Sequence, residues 1–378
     1  MSLPASSPGH RALAVDVKTP ARLHLGMLSF GVPGVRAYGG VGVMIDRPGV
    51  HLRMTSGRST PGEQFTATGP LADRAEAFAR LCAAAWQLGD RAACRLEVLQ
   101  VPDSHAGLGS GTQLGLAVAA GMQRLFQPAA VITAPEALVR FDTSDAVALA
   151  RAVGRGRRSC VGIYGFSGGG LIVEGGRLVP SGGGIEADAT RPFSPLLARV
   201  QLPSAWRCVV FSLRDAIGLH GAAEKQAFAS LPPVPADITA ELSRHALTSL
   251  LPAAVDGQFE EFSDALLHYG HLAGKPFEQA SSQLPHAQIT ARLINSLQQL
   301  GARGCAQSSW GPTVMACCES PAAADSLVER FAAVDLAGQY DTLIARFADQ
   351  GAVLREAVLR EPVLREMGLD QTRETGRP

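Results

Sequence analysis

Residues 102–113 read PDSHAGLGSGTQ, between a predicted strand, Cys94–Val101, and a predicted helix of small residues, Leu114–Phe126. The glycines allow the backbone to pass close to a bound oxyanion. Exposed N–H groups of the loop and the N-terminus of the helix supply a positive potential there. The hydroxyls of Ser110 and Thr112 are available to a phosphate or a magnesium ion. The pattern predicts a phosphate-binding loop, with a ligand-free glycine turn as the alternative.

The loop matches neither of the two common phosphate-binding patterns. The GxxxxGK[ST] pattern is absent, and its nearest approach, Gly270–Lys275, continues with proline and has the wrong spacing. The dinucleotide pattern GxGxxG requires glycine at the position of Thr112. Any phosphate loop here is therefore of another type.

Composition excludes several classes of protein. The 378 residues contain 34 Lys and Arg against 34 Asp and Glu, so the formal net charge is zero. Hydrophobic residues make up 46% and charged residues 18%, which excludes a disordered or acidic-tail protein. The charge balance also argues against a general nucleic-acid binder. Only Lys18, Lys225 and Lys275 are lysines; coding bias explains the many arginines, which also suit bidentate binding of phosphate or carboxylate.

The sequence carries no membrane-spanning or secretory signal. No run of about 18 apolar residues is free of charges or helix breakers. Residues 1–20 lack the basic-then-apolar order of a signal peptide. The seven cysteines are scattered without a CxxC pair, which argues against a disulfide framework or a structural zinc site. We expect a cytoplasmic protein that binds neither nucleic acid nor membrane.

Length and composition shifts predict two lobes. Residues 1–11 are expected to form a flexible leader, 12–190 the first lobe, 191–340 the second lobe and 341–378 a tail. In the second lobe, strands and helices alternate as in an α+β fold with helices on one face of an antiparallel sheet.

Two further segments give local expectations. The apolar run Val161–Phe166 reads as a strand. The tail repeats the pattern VLRE from residue 353, with a period of five that matches neither helix nor strand, and Pro362 would interrupt a helix. We expect an exposed or partly ordered tail.

Two motifs resemble the GHMP kinase superfamily. Residues 102–111 resemble its central P-x3-GLGSS phosphate loop, and residues 309–316, SWGPTVMA, resemble its G-x-G-x-GPTVFA segment. Two motifs in the correct order are much more specific than either one. The resemblance implies a two-lobed α+β fold, with an N-terminal lobe related to domain 2 of ribosomal protein S5 and a ferredoxin-like C-terminal lobe.

One segment departs from the kinase pattern. Typical GHMP kinases carry a catalytic aspartate in a GxPSGxD-like segment, and the matching stretch here, residues 156–162, reads GRRSCVG. Gly162 stands where the aspartate is expected, so a substrate hydroxyl would lack its usual proton acceptor. Asp16 and Asp46 stay open as bases from elsewhere in the chain.

The chain also resembles one branch of the superfamily, the β-ribofuranosylaminobenzene 5′-phosphate synthase family. The similar segments are TPARLHLG (19–26), YGGVG (38–42), GLGSGTQ (107–113), GRGRRS (154–159) and QSSWGPT (307–313), with Cys160 in place of an expected glycine. The resemblance implies condensation of 5-phosphoribosyl-1-diphosphate (PRPP) with 4-aminobenzoate or 4-hydroxybenzoate. The products would be a C-riboside 5′-phosphate, CO₂ and pyrophosphate, in the first committed step of methanopterin biosynthesis. Attack by carbon needs no protein base.

These anionic substrates direct attention to cations and to the loop. Arg22 and Arg36 flank a glycine-rich segment, and either is a candidate clamp for a phosphate or for the acceptor's carboxylate. The catalytic candidates are Lys18, Arg22, His24 and Arg36. The substrate-binding candidates are Gly107, Leu108, Gly109, Ser110, Gly111, Thr112, Gln113, Arg155, Arg157, Arg158, Ser159, Ser308, Ser309 and Trp310.

The resemblance also implies Mg²⁺ as cofactor, with Ser110 as its candidate ligand, and a homodimer. Two other functions stay open. One is an ATP-dependent small-molecule kinase of the GHMP type. The other is a non-catalytic regulatory protein that binds PRPP or a nucleotide.

Overall fold

The computed structural model of the chain describes residues 13–32, 35–57, 63–103, 106–127, 138–178, 192–214, 226, 228, 230–277, 287–309 and 311–358. The predicted leader, most of the predicted lobe boundary and residues 359–378 lie outside these ranges. The described residues form two lobes of mixed helices and strands, as predicted.

The strands of the described ranges form three sheets. They are β1 (Leu13–Lys18), β2 (Ala21–Ser29), β3 (Arg36–Ile45), β4 (His51–Ser56), β5 (Phe65–Thr68), β6 (Cys94–Gln100), β7 (Leu138–Arg140), β8 (Leu171–Glu174), β9 (Arg177–Leu178), β10 (Leu196–Val200), β11 (Arg207–Leu213), β12 (Cys305–Gln307), β13 (Thr313–Cys318), β14 (Tyr340–Arg346) and β15 (Val353–Val358).

The helices follow the small-residue and amphipathic stretches of the sequence. They are α1 (Ala72–Ala85), α2 (Ser110–Phe126), α3 (Thr143–Ala152), α4 (Val161–Gly168), α5 (Ala236–His245), α6 (Leu251–Asp256), α7 (Phe259–Gly274), α8 (Ala287–Gln299) and α9 (Pro321–Ala332). A π-helical segment, Ala246–Leu250, joins α5 to α6, and single 3₁₀ turns occur at Gly89–Arg91, Lys275–Phe277 and Ala337–Gln339. Within the described ranges, no helix combines the length and apolarity that a membrane crossing requires.

The first lobe contains two sheets and the second lobe contains one. The six-stranded sheet has the order β5-β6-β4-β1-β15-β7, and its β5–β6 pair is parallel. The second sheet has the order β10-β8-β3-β2, with β9 paired to β3. The sheet of the second lobe has the order β12-β13-β11-β14 and is antiparallel.

Strand β3 joins two hydrophobic cores because both of its faces are covered. Val41 and Val43 point to a core that includes Leu266 and Tyr269 of α7, so this core is shared by both lobes. Met44 points to the opposite side, into the core of the first lobe. The alternation follows from the period of two along a strand. The lobes are therefore fixed to each other by one continuous core.

The chain returns to the first lobe after it has built the second. β14 pairs with β11, and β15 lies between β1 and β7 in the six-stranded sheet. The prediction of a separate tail was therefore wrong for residues 341–358. The first copy of the VLRE repeat forms a strand because Leu354 alternates with exposed Arg355 and points into the core.

The predicted lobe boundary near residue 190 was also misplaced. β10 pairs with β8 and so belongs to the sheet of the first lobe. The second lobe begins with β11, which pairs only with strands of its own sheet. The boundary thus lies in the turn between Val200 and Arg207.

Because β15 is an interior strand, we expect its core side chain to matter for stability. Leu354 is 1% exposed, and Leu354→Ala should lower the free energy of unfolding by about 2–4 kcal/mol. Arg355→Ala, at the exposed neighbouring position, should change it by less than about 0.5 kcal/mol. Urea unfolding of both variants measures the difference. Equal effects would contradict the interior placement of β15.

Candidate active site

The glycine loop ends at the N-terminus of α2. Gly109 precedes the helix in a left-handed conformation, with φ of 73°, and its carbonyl accepts from the amides of Thr112 and Gln113. Ser110 and Gly111 come before Thr112 at the start of α2, and their amides have no acceptor within the helix. They therefore point toward the space in front of the loop and favour a bound anion there.

The loop is held by β2 and by the segment that follows β12. The amide of Arg22 donates to Leu108 O, at 3.0 Å. Ser308 Oγ donates to Gly107 O, at 2.7 Å, and accepts from the amide of His24, at 3.0 Å. Ser308 is fully buried, so its hydroxyl positions the loop against both lobes.

The neighbouring Ser309 lies at the same junction but is exposed. Its amide donates to His24 O, at 2.9 Å, and its φ of 57° is unusual for a residue other than glycine. The predicted contact residue Trp310 lies outside the described residues. The side chain of Ser309 is therefore available to a ligand.

Arginines contact the loop at two of its glycines. Arg22 of β2 packs against Gly109, where a Cβ would lie 3.2 Å from Arg22 Nε. Arg158, like Arg22, lies near enough to His24 for its charge to lower the pKa of that residue. The Arg158 Cζ also lies 4.4 Å from the centre of the Phe228 ring.

His24 is a neutral histidine in this positive environment. Its side chain is buried, and burial, then Arg22, then Arg158 lower its pKa from 6.5 to about 3. Its Nε2 has no hydrogen-bond partner. The imidazole is therefore suited to a hydrogen bond and not to binding an anion by charge.

The second contact is made by Arg74 of α1, which the sequence analysis missed. Its guanidinium covers Gly111, where a Cβ would overlap Nη2. Arg155 lies nearby, since the charges of Arg74 and Arg157 both act on it. Arg74 and Phe78 are four residues apart and share one face of α1, but nothing in that spacing indicates which helix the face contacts.

Comparison with known proteins bears on this geometry. No protein-family model matches the chain. The chain is 30% identical over 313 residues to β-ribofuranosylphenol 5′-phosphate synthase of Archaeoglobus fulgidus, covering 81% of this chain and 88% of that protein. A protein of the same name from Methanothermobacter thermautotrophicus is 28% identical over 309 residues, covering 79% and 87%.

The chain belongs to the β-ribofuranosylphenol 5′-phosphate synthase family. The resemblance of the sequence motifs to this branch of 5′-phosphate synthases is thereby confirmed.

Solved structures confirm the predicted GHMP-kinase-like fold. A homoserine kinase from Cytophaga hutchinsonii superposes with a TM-score of 0.59 at 16% identity, covering 93% of this chain and 100% of that one. A mevalonate pyrophosphate decarboxylase from Streptococcus pyogenes gives 0.62 at 12% identity, covering 90% and 99%. At such low identity these likenesses describe the fold alone.

Gly162 of this synthase-family chain, at the position where GHMP kinases carry their catalytic aspartate, lies beside the loop. Gln113 Nε2 donates to Gly162 O, at 2.7 Å. A Cβ on Gly162 would lie 3.4 Å from Thr112 Cγ2. A carboxylate at 162 would therefore point at the first turn of α2, and this chain has none there.

The segment after Gly162 is a helix and not the predicted strand. Val161–Phe166 lies in α4, which is buried over most of its length. A short apolar run does not distinguish a buried helix from a buried strand by periodicity. Glu174 accepts from the amide of Cys160, at 2.8 Å, and so stabilises the start of this helix.

The structure ties Ser159 to this helix start. Ser159 Oγ donates to Glu174, at 2.6 Å, and accepts from the amide of Val161. Burial raises the pKa of Glu174, while these hydrogen bonds act in the opposite direction. Ser159 thereby positions the arginine-rich turn that precedes it.

The structure does not bring two other candidates to the loop. Arg36 begins β3, whereas Arg22 pairs with Met44 near the other end of that strand, roughly 25 Å away at 3.3 Å per residue. Arg36 Nη1 donates to Gly176 O, at 2.8 Å. Lys18 is exposed at the end of β1. Arg22 and Arg36 therefore cannot clamp the same small group.

The two open candidates for a base are engaged in ion pairs. Asp16 contacts His51 and Arg53, each at 3.2 Å. Asp46 contacts Arg346 at 3.0 Å. Neither ion pair involves the loop.

Restoring a carboxylate at 162 should oppose anion binding. The site has space for a Cβ there, so Gly162→Asn and Gly162→Asp differ mainly in charge. We expect the Asp variant to bind inorganic pyrophosphate at least about tenfold more weakly than the Asn variant, through charge repulsion. Calorimetric titration measures both affinities. Equal affinities would show that the anion does not bind at the first turn of α2.

The low pKa of His24 predicts a pH dependence of stability. Folded His24 stays neutral down to about pH 3, while the unfolded chain takes up a proton below about 6.5. The contribution of His24 to the free energy of unfolding is therefore fully present above pH 6.5 and is lost as the pH falls toward 3.

Wild type should lose about 1.4 kcal/mol of unfolding free energy per pH unit relative to His24→Gln, between about pH 6 and pH 4. Urea unfolding of both proteins across this range measures the difference. A constant difference would mean that folded His24 titrates normally.

Proposed function

We propose that this chain transfers the 5-phosphoribosyl group of PRPP to the carbon of a 4-substituted benzoate, with release of pyrophosphate and CO₂. The observation that carries this proposal is a phosphate loop surrounded by arginines, with glycine at the position of the kinase base. Such a site binds anions and lacks the group needed to deprotonate a hydroxyl. Membership of the synthase family supports the same reaction.

The reaction requires the site to bind anions and does not require it to transfer a proton. The bond from C1′ to oxygen breaks, and pyrophosphate leaves with the electron pair. The aromatic carbon that bears the carboxylate forms the new bond to C1′. The bond from that carbon to the carboxylate then breaks, CO₂ leaves, and its electron pair restores the aromatic ring.

Each part of the site has a role in this sequence. The free amides of α2 and the loop would bind the diphosphate and stabilise it as it departs. Arg22, which packs against Gly109, and Arg158 would provide positive charge suited to the acceptor's carboxylate. Neutral His24, whose pKa both arginines lower, would offer the substrate a hydrogen bond at Nε2.

The names of the relatives favour 4-hydroxybenzoate as the acceptor. Those proteins are named for a ribofuranosylphenol product, which carries a hydroxyl where the aminobenzoate product carries an amine. Both substituents lie opposite the attacking carbon and donate electrons to it. We therefore propose 4-hydroxybenzoate as the better acceptor and 4-aminobenzoate as the alternative, in a step of methanopterin biosynthesis.

Magnesium is part of the proposal as the counter-ion of the diphosphate. No group of three or more His, Cys, Asp or Glu side chains in the described ranges is placed to hold a metal ion. Ser110 and Thr112 offer hydroxyls at the first turn of α2, so the donor set fits an ion held mainly by phosphate oxygens. Bound there, it would offset the charge of the leaving group.

Release of labelled CO₂ tests the reaction directly. The chain is incubated with PRPP, Mg²⁺ and either benzoate labelled at its carboxyl carbon. We expect labelled CO₂ and pyrophosphate in equal amounts, and more of both with 4-hydroxybenzoate. Turnover of ATP on an alcohol without CO₂ release would instead indicate a kinase. Binding of PRPP without turnover of either acceptor would indicate a regulatory protein.

Two further expectations are proposed on different grounds. The homodimer rests on the resemblance alone, and the cytoplasmic location rests on the scattered cysteines and on the composition of residues 1–20. Light scattering of the purified chain decides the oligomeric state.

A further inference from the structure

Arg74 and Arg155 place two guanidinium groups beside the first turn of α2. Arg74 reaches Gly111 from α1, and Arg155 enters from the turn after α3. Their Cζ atoms lie 5.9 and 4.9 Å from the centre of the Phe78 ring. Phe78 packs against Gly115, one turn further along α2. The ring therefore supports both arginines at the level of the loop.

Both groups are partly removed from water without an acidic partner. Burial lowers the pKa of Arg74, and burial, Arg74 and Arg157 lower the pKa of Arg155 to about 10. Both remain protonated at neutral pH. Arg155 Nε has no hydrogen-bond partner, and no ion pair joins either arginine to a carboxylate within the described ranges. Two positive charges thus lie close together and are partly shielded from water.

Two other shielded arginines in the described ranges, Arg199 and Arg124, have partners that explain them, although Arg199 Nε, like Arg155 Nε, has no hydrogen-bond partner. Arg199 donates to Tyr164 O, at 2.7 Å, and to Ser167 Oγ, at 2.8 Å, near the end of α4. Arg124 forms an ion pair with Glu356 of β15. Removing charge from water without compensation is costly, so Arg74 and Arg155 differ from arginines that serve the fold.

We propose that Arg74 and Arg155 form a phosphate-binding pair that takes a phosphate group of the phosphoribosyl donor at the first turn of α2. The identity of the donor rests on the proposed function, whereas the anion-binding chemistry follows from the arginines themselves. A guanidinium presents parallel N–H groups that match two phosphate oxygens. The bound anion supplies the counter-charge that the pair lacks, and the N-terminus of α2 adds to the attraction.

The donor carries this chemistry at two places. One is the diphosphate on C1′ and the other is the phosphate ester on C5′. Inorganic pyrophosphate and ribose 5-phosphate are therefore the two probes. The one whose binding depends on the pair identifies which end of the donor lies against Phe78.

Arg74→Gln and Arg155→Gln test the pair, with Arg80→Gln as the matched control. Arg80 lies on the same helix as Arg74 but is exposed and pairs with Glu76. Calorimetry of the full chain should show each test variant binding at least one probe roughly tenfold to a hundredfold more weakly than wild type. Arg80→Gln should bind both probes as wild type does. Wild-type affinity for both probes in both test variants would overturn the proposal, as would a wild-type chain that binds neither probe.

Thermal unfolding separates a binding role from a structural one. Without ligand, Arg74→Gln should melt no lower than wild type, because it removes one of two shielded like charges. Saturating probe should raise the melting temperature of wild type and Arg80→Gln, and raise that of Arg74→Gln by less. A test variant that melts several degrees lower without ligand, yet gains the full shift on binding, would assign the pair to the fold instead.

Different results would contradict the Arg74–Arg155 pair and the proposed reaction. Loss of probe binding in the variants, from a chain that releases no CO₂, would keep the pair and reject the reaction. CO₂ release with an unchanged KM for PRPP in both variants would keep the reaction and reject the pair.

Discussion

The site depends on close backbone contact where the two lobes meet. Gly107 has a φ of 93°, and a Cβ there would lie 2.5 Å from Ser308 O. Gly311 has no room for a Cβ because Ala106 O occupies that space. The hydroxyl of Ser308 then joins the loop to β2 by two hydrogen bonds. The conformation of the loop is therefore set by residues about 200 positions away in the sequence, and α2 presents its N-terminus only because both lobes hold the loop.

The site is positively charged because this packing brings arginines close to the loop. Arg22 and Arg74 lie against the loop at Gly109 and Gly111, and Arg155 shares the Phe78 ring with Arg74, beside a helix N-terminus that is itself positive. The environment that keeps His24 neutral is the same one that disfavours a further cation. An anion relieves this accumulation of charge, and PRPP brings two separate phosphate groups. The fold and the proposed substrate thus match in the sign of their charge, although the chain as a whole is neutral.

Sequence reasoning reached the loop, the two-lobed fold and the position of Gly162 because each is encoded locally. Glycine spacing marks the loop, and two short motifs mark the fold. It missed Arg74 because the importance of that residue comes from the packing of α1 on α2 at Gly111 and Gly115, which no local pattern specifies. It placed residues 341–358 in a tail because a strand of one sheet need not be near its neighbours in sequence. It also read α4 as a strand, since a run buried on every side has no polar face to reveal its period.

Gly162 shows how the charge at one position can matter to the chemistry of a site. The first turn of α4 lies against α2, where Gln113 donates to Gly162 O, and this position has room for a Cβ. A carboxylate would add negative charge beside the turn at which the diphosphate is proposed to bind. A kinase needs that charge, because its acceptor must lose a proton. In carbon–carbon bond formation with loss of CO₂, the acceptor loses a carboxylate and no proton. With glycine at 162, no carboxylate repels the diphosphate, and the proposed reaction does not require one there.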